Sequence, residues 1–174
     1  DDVIHISGEM TGTVSGAGGN NTLIGPDRTS TWVIDNTNRG TLNEDIRFFD
    51  IPNLVGGSGD DTFQFTLSNS SSIRLSGSLD AGEGRDTLDY SGYSSNVFVS
   101  WETNQASKVG STSWTGAPGR TTNFEAVVGN EFTRVEGPDP GEGNTNQWRI
   151  TGENEGNIND GQYEFTAVPS VFHG

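Results

Sequence analysis

One string of residues occurs twice in this chain. Trp32-Val33-Ile34-Asp35-Asn36-Thr37-Asn38-Arg39-Gly40-Thr41-Leu42-Asn43 reads like Trp148-Arg149-Ile150-Thr151-Gly152-Glu153-Asn154-Glu155-Gly156-Asn157-Ile158-Asn159, with Trp, Ile, Asn, Gly and Asn recurring at an offset of 116. After a one-residue insertion, Phe48, Pro52 and Gly57 pair with Phe165, Pro169 and Gly174. A weaker third copy sets Asn123-Phe124-Glu125-Ala126-Val127-Val128-Gly129-Asn130 beside Asp50-Ile51-Pro52-Asn53-Leu54-Val55-Gly56-Gly57. Repetition of this kind means that one small unit is used again. Such a unit cannot bury its apolar face alone and must stack on its neighbours. The repeat divides the chain into two unequal units, 1–59 and 60–174, the second carrying an insertion over roughly 90–146.

The units read as β-structure. Gly, Asn, Asp or Pro interrupts almost every stretch long enough for an amphipathic helix, and these residues favour turns. Between them lie short β-type runs: Val3–Ile6, Trp32–Ile34, Ile46–Ile51, Thr62–Leu67, Ser72–Leu75, Asn96–Trp101, Gln147–Ile150 and Gln162–Val168. Several alternate, as Val97, Val99, Trp101 and Phe63, Phe65, Leu67 do, which turns one side of a strand to a core.

Three glycine-rich turns each lead into such a run. They are Gly16-Ala17-Gly18-Gly19-Asn20-Asn21, Gly56-Gly57-Ser58-Gly59-Asp60-Asp61 and Ala81-Gly82-Glu83-Gly84-Arg85-Asp86. Their final Asn or Asp residues are 40 and 25 positions apart, which suits coils of about 20 residues. The expected fold is therefore all-β, a β-solenoid of seven or eight such coils. A tandem β-sandwich is the alternative, because turn signals every 8–12 residues suit that class as well.

Composition narrows the function classes. Only 29% of residues are hydrophobic, yet 4 Trp, 9 Phe and 3 Tyr argue against disorder. A thin core under a large polar surface is the reading that remains. The net charge of -15, with Lys108 the one lysine, repels nucleic acid and can collect cations. Absence of cysteine excludes disulfides and thiolate metal sites. No signal peptide, lipidation motif or membrane-spanning run is visible, so the expectation is a piece of a longer secreted or cell-surface chain without membrane insertion.

Gly56-Gly57-Ser58-Gly59-Asp60-Asp61-Thr62-Phe63-Gln64 matches the nonapeptide G-G-x-G-x-D-x-U-x at every fixed position. Here the chain resembles the haemolysin-type calcium-binding repeats of RTX proteins. The resemblance implies Asp61 as a Ca2+ ligand with Asp60 beside it, Asp86 in the same place in the second turn and Asn21 in the first. The departures are Ala81 for the first glycine, Ala17 for the second, the neutral Asn21, and turns that do not follow one another in tandem. A plain glycine corner without an ion is the competing reading of all three.

A broader resemblance covers most of the chain. Ser76-Gly77-Ser78-Leu79-Asp80-Ala81-Gly82-Glu83-Gly84-Arg85-Asp86-Thr87-Leu88-Asp89-Tyr90-Ser91 is similar to repeats of very large bacterial adhesins and filamentous-haemagglutinin-like proteins. It implies a structural or adhesive module whose partners are neighbouring repeats and possible glycan or cell-surface receptors, and it implies no reaction. A calcium- or glycan-binding module is the alternative. Enzymatic readings have little to stand on. The two histidines, His5 and His173, lie at opposite ends, and a β-helix polysaccharide lyase needs carboxylates grouped with basic residues. Asp139 and Glu142 share a loop that contains no such residue. Trp32, Trp148 and Trp101 have apolar companions on one face and read as core, whereas Trp114 reads as a surface or ligand contact.

Overall fold

The computed structural model describes residues 1–66, 73–110, 120–142 and 144–172. Among them the chain forms β-strands and no helix. The first nine strands are β1 (Val3–His5), β2 (Gly12–Ser15), β3 (Thr22–Ile24), β4 (Thr31–Asn36), β5 (Arg39–Leu42), β6 (Ile46–Phe49), β7 (Asn53–Gly57), β8 (Thr62–Phe65) and β9 (Leu79–Gly82). The next five are β10 (Thr87–Asp89), β11 (Val97–Ser100), β12 (Gln105–Ala106), β13 (Thr121–Thr122) and β14 (Ala126–Val128). The last five are β15 (Thr133–Glu136), β16 (Trp148–Gly152), β17 (Glu155–Ile158), β18 (Tyr163–Thr166) and β19 (Ser170–Phe172). Of the expected runs, Thr62–Leu67 and Ser72–Leu75 fall partly outside the described residues, Leu67 and Ser72 among those not described, and Arg74 and Leu75 make isolated bridges only.

The described residues form three sheets. One has the order β1-β3-β7-β9-β13, a second β16-β17-β18-β14-β10-β8-β4-β5-β6-β2, and a third β12-β11-β15-β19. The first sheet is parallel throughout. Among the described residues, antiparallel pairing is confined to the short β11–β12 pair and two three-stranded meanders, β4-β5-β6 and β16-β17-β18. This mixture departs from the antiparallel sheets of a sandwich.

Parallel register stacks like residues on like. Trp32 pairs with Phe63, Phe63 with Leu88, Leu88 with Val127, and Val127 with Phe165, and all five are buried. A second column runs through Leu23, Leu54 and Leu79. A third contains Val99, Val135 and Val171. Ring stacking reinforces the first column: Trp32 lies on Phe63 with centroids 5.7 Å apart, and Phe65 lies on Tyr90 at 4.9 Å. Few apolar residues are needed, because each serves the layer above and the layer below.

The spacing along the chain differs from the expected 20 residues. Val3 pairs with Thr22, but Thr22 with Asn53, Leu54 with Leu79, and Leu79 with Thr121. The intervals vary because a meander or a long loop lies between some pairs of neighbouring parallel strands and not others. Stacking register depends on the core-facing residues alone, so the loops are free to differ.

The two meanders are the recurring string. Trp32 faces Leu42 and Trp148 faces Ile158. Ile34 faces Gly40 and Ile150 faces Gly156, and both pairs of strands slip register at the same following step. Gly40 pairs with Phe48 and Gly156 with Phe165, which locates the one-residue insertion in the turn between the second and third strands. A side chain at either glycine would collide with that phenylalanine ring and with the carbonyl of Val33 or Arg149. The recurring asparagines act alike too. Asn43 and Asn159 have positive φ, and their side-chain Oδ1 atoms accept the amides of Thr31 and Gln147 at 2.8 and 2.9 Å.

The weaker third copy has a different outcome. Residues 126–128 form β14 of the ten-stranded sheet, whereas their proposed counterparts near 53–55 form β7 of the five-stranded sheet. By register β14 corresponds to β2, since Val127 lies opposite Phe165 as Val14 lies opposite Phe48. The short apolar run before a glycine is common to many strands and carried too little information to fix the correspondence.

Candidate functional site

The glycine-rich turns hold the least ordinary chemistry in the molecule. Each ends just before a short strand: Asn21 before β3, Asp61 before β8 and Asp86 before β10. Thr62 pairs with Thr87 and Thr87 with Ala126, so Asp61, Asp86 and Glu125 stand on successive layers. The Asp61 amide donates to Asp86 Oδ1 at 2.7 Å, and the Asp86 amide donates to Glu125 Oε2 at 2.9 Å. Asp60 is exposed and caps the same step, its Oδ1 accepting the Arg85 amide at 2.8 Å.

Asp61 and Asp86 are 1% and 0% exposed. Neither oxygen of Asp61, nor Oδ2 of Asp86, has a hydrogen-bond partner among the described residues. Burial, and next the charge of Asp86, push the Asp61 carboxyl up to about 7. Burial also pushes Asp86 up to about 7, against the hydrogen bond from the Asp61 amide and with the charge of Glu125 adding to the rise. Two carboxylates removed from water, with three of their four oxygens outside hydrogen-bond reach of a donor among the described residues, carry a large penalty unless a proton or a cation joins them.

Asn21 shows what the turn requires. The turn at Gly16 places Asn21 Nδ2 and the carbonyl of Asp50 against the glycine, and the turn at Gly56 places Asp61 Oδ2 and the carbonyl of Ala81 in the corresponding positions. Asn21 Nδ2 donates to the carbonyls of Gly16 and Gly18 at 2.8 and 2.9 Å, and Oδ1 accepts the Asp2 amide at 2.8 Å. At Asp61 an acceptor stands where this donor stands. The amide of Asn21 satisfies its turn without an ion, and the carboxylate of Asp61 cannot.

Of the four residues expected around calcium, the structure brings Asp60, Asp61 and Asp86 together at the N-terminal ends of β8 and β10, two neighbouring strands in the middle of the ten-stranded sheet. It places Asn21 in the turn from β2 to β3, beside Asp1 and Asp2. Glu125, absent from that expected set, completes the acidic column. No glycine-rich turn precedes it, and the stacking of β14 on β10 alone puts it there. Among the described residues no group of three or more His, Cys, Asp or Glu is arranged to hold a metal ion. Calcium takes about 6–8 oxygens, so backbone carbonyls would have to provide most of the ligands.

The other candidates are scattered. Asp139 is exposed and accepts the Gly141 amide at 2.8 Å, Glu142 is exposed, and His5 is exposed in β1. Trp114 and His173 lie outside the described residues. Trp101 is buried, stacks on Phe124 and donates its indole N–H to the Phe124 carbonyl at 3.0 Å. A shallow cavity of about 520 Å³ is lined by Tyr93, Ser94, Ser95, Asn96, Lys108 and Phe132. None of the described residues forms a helix long and apolar enough to cross a membrane. No protein-family model matches the chain, and no curated protein or solved structure matches it either.

Proposed function

We propose that this chain is a non-catalytic repeat module of a larger secreted or cell-surface protein, built as a β-solenoid and serving as a spacer or display element. The observation that carries the reading is the reuse of one meander, with its register slip and its asparagine latch intact, on a stack of parallel strands. Such a stack lengthens by adding units, and its partners are the neighbouring units. Ten strands at about 4.8 Å spacing span roughly 45 Å along the stack. A compact domain of this size has a radius of gyration of about 16 Å, equivalent to a sphere roughly 41 Å across, so a tandem of two copies separates the shapes where one copy does not. X-ray scattering from the chain and from a covalent tandem of two copies tests the proposal. Near-doubling of the maximum dimension is expected. A tandem that folds into a globule, with its radius growing only as a compact body's would, removes the reading.

The orphaned oxygens of Asp61 favour a second reading, in which the acidic column binds calcium. Asp61 and Asp86 would hold the ion with carbonyls of the Gly56 turn, and the ion would supply the positive charge that both carboxylates lack. Calorimetric titration with calcium, run beside the Asp61→Asn variant, tests it. Heat that saturates in the native chain and vanishes in the variant supports a site there. Identical traces rule it out.

A further inference from the structure

The two meanders share strand pairing, register slip and asparagine latch, and among the described residues they differ in what lies beside their first strand. In the first, the outer edge of β4 is occupied by β8 in parallel register, Trp32 opposite Phe63 and Ile34 opposite Phe65. In the second, β16 is the last strand of the sheet among the described residues. The inner sides agree closely. Trp32 meets Phe48 with centroids 6.1 Å apart, Trp148 meets Phe165 at 6.1 Å, and β6 lies beside β2 as β18 lies beside β14. Exposure then separates the pairs: Ile34 is 0% exposed and Ile150 is 60%. Trp32 is fully buried, and Trp148 is half-buried.

We infer that the outer edge of β16 is a docking site for one parallel strand bearing two apolar side chains at alternate positions, the pattern of Phe63 and Phe65. The first would lie opposite Trp148 in register and the second would cover Ile150. The occupant is identified by the chain's own interface: the same edge, in the same register, is already filled by Thr62–Phe65 in the first unit. Main-chain hydrogen bonds would supply affinity, and the spacing of the two side chains would supply selection. An acidic surface patch or an antiparallel strand does not meet these demands. This inference rests on the repeat-module reading, because it assumes that a second unit is completed as the first one is.

The test extends the chain after Gly174 with a second copy of its own residues 58–90. Hydrogen exchange is measured at the amides of Trp148 and Ile150, the counterparts of Trp32 and Ile34 that face β8 in the first unit. At least tenfold slower exchange in the extended chain is expected, with the protection lost when both phenylalanines of the added copy are replaced by serine. Unchanged exchange at these amides in a folded extended chain overturns the proposal. If the extension prevents folding, the unextended chain is titrated with a synthetic peptide of residues 57–66 while its amide resonances are recorded. Shifts centred on Trp148–Ile150 that disappear in Ile150→Asp support the site, and their absence at millimolar peptide refutes it. An extended chain that is elongated in scattering but leaves β16 unprotected refutes this inference alone, whereas a compact one refutes the module reading beneath it.

Discussion

The indole of Trp32 lies nearly flat on the ring of Phe63, with an interplanar angle of 12°. Those two residues are 31 positions apart and stand directly opposite in parallel strands. Trp148 holds the matching place in its own meander, meets Phe165 at its side, and remains half-buried. One sequence position thus has two energetic values, set by whether, among the described residues, another strand of the same sheet lies beyond it.

Truncation should reveal the difference. Trp32→Ala removes a large buried aromatic and should cost roughly 3–5 kcal/mol. Trp148→Ala, at a half-buried place, should cost less than half as much. Urea denaturation of both variants measures this, and equal losses would contradict the exposure of β16.

Asp61→Asn should stabilise the chain in the absence of divalent ions. The new amide can donate to the turn carbonyls as Asn21 does, and a buried unpaired charge is removed. A gain of about 1–3 kcal/mol at pH 8 with chelator present is expected. A loss of stability would mean that the carboxylate has a partner the Asn21 comparison does not reveal.

Stability should also depend on pH in one direction. Asp61 and Asp86 are raised to about 7 in the fold, against about 3.9 in the unfolded chain. Between those values the folded state holds protons that the unfolded state has released. Their contribution is therefore fully present below about pH 4 and is lost as pH rises through about 7. Thermal unfolding from pH 4 to 8 in chelator should show a falling melting temperature, and Asp61→Asn should flatten the fall. If the calcium reading holds, millimolar calcium should restore the melting temperature at pH 8. A profile that rises with pH would mean that the column is paired.

The asparagine latch gives a matched pair of substitutions. Asn43 and Asn159 both combine a positive φ with a hydrogen bond back to the first strand of the meander. Asn43→Ala loses both and should cost about 1–2 kcal/mol, with Asn43→Gly recovering part through backbone freedom. The same series at Asn159 should run in parallel but shallower, because that meander forms the end of the sheet among the described residues and its first strand is largely exposed. A flat series at Asn43 would show that the turn is held by packing alone.

The sequence by itself determined the class of structure and its internal repetition. Alternation at Phe63 and Phe65, at Val97 and Val99, and the turn residues between them exclude helix, and all four side chains are buried as alternation requires. The offset linking Trp32 to Trp148, and the inserted residue before Phe165, survive as paired register in the meanders. These features were legible because they are local: a turn needs its own glycine or asparagine, and a strand needs its own apolar face. The order of strands in the stack was decided only by the tertiary structure. The layers do not repeat at a fixed length, so no period in the sequence announces that Leu79 meets Thr121 or that Glu125 joins Asp61 and Asp86. The same cause explains the contrast between Asn21 and Asp61. Their turns are alike in sequence, but one carries its own donor and the other relies on whatever proton or cation its surroundings supply, and only the placing of neighbouring layers makes that need visible.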